Sequence, residues 1–149
     1  MASWAELEAA APEIASAGRE LLHRDGHGKA MLATVRDGEA PRIHPISVGI
    51  VRDELCAFIF RSAKLDDLVN DGRYALHAHL DPNAPNEFLV RGRAREVTDE
   101  AFRAIAISGW SFSPDESYRL FAFGIESALI GRRASADEWP PRYERWEAG

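Results

Sequence analysis

The run Ala30-Met31-Leu32-Ala33-Thr34-Val35, then Arg42-Ile43-His44-Pro45-Ile46-Ser47-Val48-Gly49-Ile50, then Leu55-Cys56-Ala57-Phe58-Ile59-Phe60 decides the fold. Each segment is short, apolar and of strand length. Asp37-Gly38 and Arg52-Asp53, both tight-turn signals, separate them. Parallel strands need a crossover of about a dozen residues or more, and neither gap has room for one. The three strands are therefore expected to pair antiparallel. Downstream, Tyr74–Leu80 reads as a fourth strand and Phe88–Val97 as a long fifth with Gly92 as a bend or close-approach point. A last strand runs from Tyr118 to about Ile130. Six short strands with helices at the edges predict a mainly β (α+β) fold. An antiparallel barrel suits it best, because closure removes the sheet's edges.

The helices follow from caps and spacing. Ser3 and Glu6 have capping-box spacing ahead of a stripe of Trp4, Leu7, Ile14, Leu21 and Leu22, which predicts one helix from about Ser3 to His23. Asp25-Gly26-His27-Gly28 ends it. A short helix is expected over Arg61–Asn70, and another from Thr98-Asp99-Glu100 to about Ile107. Trp139-Pro140-Pro141 leads a polar stretch, so residues 133–149 read as a tail. The whole reads as one domain, residues 1–149, with residues 1–24 forming the N-terminal helix.

Composition narrows the function. A net charge of −6 and a pI near 5.4 argue against a nucleic-acid or anionic-membrane partner, since both favour a basic face. The one cysteine, Cys56, excludes an internal disulfide framework and is expected to be buried and inert. No apolar run approaches the roughly 20 residues that span a bilayer. The N-terminus carries Glu6, Glu8 and Glu13 and lacks the basic start of a secretion signal, so a cytoplasmic location is expected.

Arg61-Ser62-Ala63-Lys64 carries the most chemistry. The chain has two lysines against sixteen arginines, so Lys64 at a helix start is an exception in this composition. A strand end running into a helix start puts two cations, a hydroxyl and free backbone N–H groups together, which attracts phosphate. The same residues also fit an ordinary N-cap with a solvated charge beside it. Arg42 reaches this junction only if the second and third strands pair as a hairpin through Val51–Asp53.

In its order of parts, the run from Ala30 to Val97, about half the chain, resembles the pyridoxamine 5′-phosphate oxidase-like flavin-binding split barrels. The matching elements are Arg42-Ile43-His44-Pro45-Ile46-Ser47, Leu55–Phe60, Ser62-Ala63-Lys64, Asn70-Asp71-Gly72-Arg73-Tyr74 and Glu87-Phe88-Leu89-Val90-Arg91-Gly92-Arg93-Ala94. The resemblance implies a split barrel that binds FMN across a homodimer interface and acts as an oxidoreductase on a small molecule. It implies that Arg42 and Lys64 hold the phosphate, helped by Ser62 and Arg61. His44, Pro45, Ile46 and Ser47, following Ile43, would line the flavin ring. Phe58 and Ile59 would supply wall and backbone contacts, with Glu87 and Phe88 as weaker transfers. The vitamin B6 oxidases of this family carry a lysine where Ser47 stands and extra basic residues near the C-terminus that have no match here. A B6 oxidase is therefore not expected. A deazaflavin-dependent reductase on the same barrel, or a non-catalytic flavin- or haem-binding protein, remains as an alternative.

Other residues admit two readings each. His77 and His79 share one strand face and form either half a metal site or a half-buried wall. His44 is either an acid–base group beside the ring or a wall histidine. Arg91, Arg93 and Arg95 form either an anion-attracting ladder or a solvated face balanced by acids. Trp110 and Phe112 either cap a pocket or fill the core, and Trp139, Tyr143 and Trp146 either cover a ring in a partner or pack the tail.

Overall fold

The computed structural model describes residues 1–149. The N-terminal segment forms two helices, α1 (Trp4–Ala10) and α2 (Pro12–Leu22), where a single one was expected. The capping box is present: Ser3 Oγ accepts from the Glu6 N–H at 3.1 Å and Glu6 Oε2 accepts from the Ser3 N–H at 2.7 Å. The break falls at Ala11, with φ −140° and ψ 67°. Pro12 causes it, because its ring disfavours helical backbone in the preceding residue and it lacks the N–H that would continue the ladder.

The strands are β1 (Gly28–Thr34), β2 (Arg42–Val51), β3 (Glu54–Ile59), β4 (Arg73–Ala78), β5 (Glu87–Glu96), β6 (Arg119–Arg132) and β7 (Arg142–Glu147). Helix α3 (Ala63–Asn70) follows β3, and α4 (Glu100–Ser108) follows β5. Every pairing is antiparallel, in the order β3-β2-β1-β4-β5-β6-β7, and β3 also pairs with β6. That last pairing closes six strands into a barrel, as expected. The tail reading is corrected in part, because residues 142–147 form a seventh strand. β3 covers only Arg119–Ala122 of the long β6, which leaves the far half of that edge open, and β7 pairs there from Ser127 to Arg132.

The barrel interior and the inner faces of α1 and α2 make one core, in which Trp4 meets Phe88 edge-on at 5.9 Å between ring centroids. Removing each such side chain from water stabilises the fold by about 1.5–3 kcal/mol. A smaller core outside the barrel packs Cys56, Phe58, Leu120 and Ala122 under Ala106 of α4. Gly92 is a close-approach point at a register shift in β5: a Cβ there would lie 2.0 Å from the Gly124 carbonyl oxygen. Cys56 is fully buried, and burial pushes its thiol up to about 12. No helix is long and apolar enough to cross a membrane.

Candidate functional site

The chain leaves β3 through exposed Phe60 and Arg61 and enters α3 at Ser62, which caps the helix in extended backbone, φ −171° and ψ 170°. Ser62 Oγ accepts from the Leu65 N–H at 3.3 Å and donates to the Phe60 carbonyl at 2.9 Å. The backbone N–H groups of Ala63 and Lys64 have no acceptor within the chain. They are orphan donors of a helix start and carry its partial positive charge. Neither Arg61 nor Lys64 has a carboxylate within 4.0 Å.

Arg42 reaches the same helix. The β2–β3 hairpin pairs only Gly49↔Cys56, Ile50↔Leu55 and Val51↔Glu54, and the start of β2 pairs with β1, Arg42 opposite Thr34. Its Nε donates to Asp67 Oδ2 at 3.0 Å, and the buried Asp67 lies three residues along α3 from Lys64. The two cations anticipated from the sequence thus converge on one helix. Arg42 also holds Glu39 at 2.7 Å, so two of its donors are already engaged with carboxylates. At this helix start the cations without carboxylate partners are Lys64 and Arg61.

Asp67 was not legible as a site residue, yet it organises this end of the barrel. It is 1% exposed, accepts from Thr34 Oγ1 at 2.8 Å and lies 3.2 Å from Arg36 Nε. A buried carboxylate is costly unless paired, and here two guanidiniums and a hydroxyl surround it. The cluster ties α3 to the end of β1 and the start of β2. The only sequence cue was an aspartate beside the buried Leu65 and Leu68 of a short helix, and its partners lie 25 to 33 residues away.

Along β2, Ile43 is 65% exposed and Pro45 exposed, while Arg42, His44, Ile46 and Ser47 are half-buried. His44 Nε2 is buried without a hydrogen-bond partner. Phe58 and Ile59 are buried, and their side chains are committed within the chain. Phe58 meets Trp110 edge-on at 4.9 Å and the Arg103 guanidinium at 5.1 Å, while Ile59 belongs to the barrel core. Their backbone pairs with β6, Phe58 opposite Leu120 and Ile59 opposite Arg119, and only the strand edge turned away from β6, beyond the end of the β2 pairing, remains for a ligand.

Phe88 is fully buried, but Glu87 joins a polar chain in which Oε1 lies 3.4 Å from His77 Nε2 and Oε2 accepts from the Tyr143 hydroxyl at 3.3 Å. The arginine ladder disperses. Arg91 donates to Ser127 Oγ at 3.3 Å, Arg93 to the Asp71 carbonyl at 2.9 Å, and Arg95 pairs with Glu54 at 2.9 Å. Trp110 and Phe112 divide: Trp110 packs on Phe58, while Phe112 is 39% exposed beside Tyr118. Trp146 packs on the main core, while Trp139 is 75% exposed.

No protein-family model matches the chain, and no curated protein does. Solved structures do match. A haem-binding protein from Mycobacterium smegmatis has a TM-score of 0.65 at 14% identity, over 89% of this chain and 57% of that one. A protein described as a pyridoxamine 5′-phosphate oxidase from Listeria innocua has a TM-score of 0.59 at 14% identity, over 75% of this chain and 93% of that one. A FAD-binding protein from Mesorhizobium loti has a TM-score of 0.59 at 16% identity, over 76% and 90% respectively. This chain spans little more than half the length of the first of these. The fold is the split barrel of the pyridoxamine 5′-phosphate oxidase-like proteins.

Proposed function

We propose that the chain binds FMN with its phosphate at the start of α3 and serves in the cytoplasm as a flavin-dependent oxidoreductase on a small molecule. One observation carries the reading: two orphan N–H groups and two cations without carboxylate partners meet at that helix start, with Arg42 fastened one turn along. This donor set fits a phosphate dianion, since charge-assisted contacts are stronger than neutral hydrogen bonds. Lys64, Arg61 and the Ala63 and Lys64 N–H groups would hold the phosphate, with the remaining donors of Arg42 beside them. The Ser62 hydroxyl fixes the helix start. Ile43, Pro45 and Ser47 would border the ring, and the Phe58 and Ile59 backbone would close one side. The flavin supplies two-electron redox chemistry; the protein binds it, orients it and controls access.

A homodimer accompanies this reading. The register row Pro45–Met31–His77–Leu89–Leu129 crosses five strands on one face, and its aliphatic members are exposed or half-buried. A second copy covering that row would remove it from water. A deazaflavin coenzyme, with its longer anionic tail, would need further cations, and Arg93 and Arg95 are already engaged. One observation favours a haem-binding alternative: His44 and His79 each keep a buried Nε2 without a partner, and the Mycobacterium smegmatis neighbour is a haem-binding protein.

The test is the visible spectrum of the purified protein after incubation with FMN, compared with Lys64→Ala and with Arg61→Ala/Lys64→Ala. Stoichiometric flavin in the parent and loss of it in the variants is expected. Equal flavin content in the double variant would remove the phosphate assignment, and a Soret band in place of flavin bands would favour haem.

A further inference from the structure

A cavity of about 330 Å³ lies at the opposite end of β2 from Arg42, between the loop entering β1, the β2–β3 turn and α4 with the residues after it. None of the residues proposed to hold a flavin lines it. Gly49 makes room for one wall, because a Cβ there would lie 2.6 Å from the Trp110 ring.

The chemistry of its lining is one-sided. The chain carries six more negative than positive charges, yet no aspartate or glutamate lines this cavity. Asp25, the acid of the adjoining loop, is 3.8 Å from Lys29 and does not line it. Arg52 lines it with no carboxylate within 4.0 Å. His23 donates through Nδ1 to the Arg19 carbonyl, 2.9 Å away, so Nε2 of the neutral ring is an acceptor and adds no negative charge to the lining. The Trp110 indole N–H is buried and unpaired. An indole N–H can only donate, and a buried donor without an acceptor is costly. Ile50 and Ile105 supply apolar surface. A cation free of carboxylate partners, beside apolar walls and with no acid in the lining, selects an anion with an apolar body. The volume sits at the lower end of small-molecule sites, roughly 300–1,000 Å³, which admits one or two rings.

We infer that this cavity binds a small aromatic carboxylate, with the carboxylate facing Arg52 and the ring packed against Trp110 and Ile105. The site does not depend on flavin, so binding is tested without it.

The probe is 2-naphthoate, titrated into the full-length ¹⁵N-labelled protein, with 2-naphthalenemethanol as the uncharged counterpart. The readout is the Trp110 indole N–H resonance, identified by its disappearance in Trp110→Phe. A saturable shift of that resonance is expected, with those of Trp4, Trp139 and Trp146 unmoved. Affinity is expected to fall at least tenfold for the alcohol, and at least tenfold for 2-naphthoate with Arg52→Asn. Asparagine keeps the turn, since Arg52 has φ 52° and asparagine tolerates that region. No saturable shift, shifts common to all four indoles, equal affinity for the alcohol, or undiminished binding by Arg52→Asn would each overturn the inference.

Discussion

Replacing Asp67 removes the one carboxylate that two arginines and a buried hydroxyl share, and the cost can be worked from the contacts. In Asp67→Ala, Thr34 Oγ1, on a residue 1% exposed, loses its 2.8 Å acceptor. An unsatisfied buried group of that kind costs about 1–3 kcal/mol. Arg36 and Arg42 lose their common counter-charge at 3.2 and 3.0 Å. A buried pair broken on one side costs about 3–5 kcal/mol. Here the guanidiniums are 37% and 34% exposed, so water and Glu39 recover much of that. The net expectation is a loss of about 3 kcal/mol, combining the hydroxyl's cost with a strongly reduced ionic one. Asp67→Asn, which keeps an oxygen for Thr34, is expected to lose about 2 kcal/mol. Urea denaturation reads this directly: with a slope near 2 kcal/mol/M, the midpoint should fall by about 1.5 M for alanine. A double-mutant cycle with Thr34→Val should then show coupling of at least about 0.5 kcal/mol. A midpoint shift below about 0.25 M for Asp67→Ala would refute the view that this cluster fastens α3 to the barrel.

Cys56, fully buried with its thiol pushed up to about 12, should stay unreactive toward a thiol reagent at pH 8 in the native protein and react at once in denaturant. A native-state reaction at the denatured rate would contradict that placement. The Arg73 guanidinium hydrogen-bonded to Asp71 lowers its carboxyl from 3.8 to about 2. The folded value lies below the unfolded one, so the contact contributes fully above the ordinary carboxylate range and is lost as pH falls toward 2. An NMR titration of Asp71 should show that low midpoint, and Arg73→Gln should return it toward 3.8. The parent is expected to sediment as the proposed dimer and Leu89→Glu, on the outward row of β5, as a monomer without loss of helix or strand signal; a monomeric parent, or a variant that remains dimeric, would remove that face as an interface.

How far the sequence could be read depends on the range of the interaction. The Ser3–Glu6 capping box, the Ser62 cap and the tight turns at Asp37-Gly38 and Arg52-Asp53 act within about four residues, so composition and spacing reveal them. The break at Ala11 was equally local and was missed because the apolar stripe continues through Pro12. β7 was hidden for another reason. Arg142-Tyr143-Glu144-Arg145-Trp146-Glu147 is too polar to read as a strand, and it pairs because β6 outruns β3 and offers an open edge.

At the candidate site, the sequence by itself determined that a lysine and an arginine flank a capped helix start and that a hairpin could carry Arg42 to it. Only the tertiary structure decided that Arg42 is shared with Asp67 and Glu39, and that the Arg91–Arg95 ladder divides among three separate partners. It likewise brought Arg52, His23 and Trp110 around one cavity. The physical reason is distance along the chain. Caps and turns form between neighbours whose spacing is written in order, whereas a buried carboxylate finds its partners only after closure of the barrel brings distant strands and helices together.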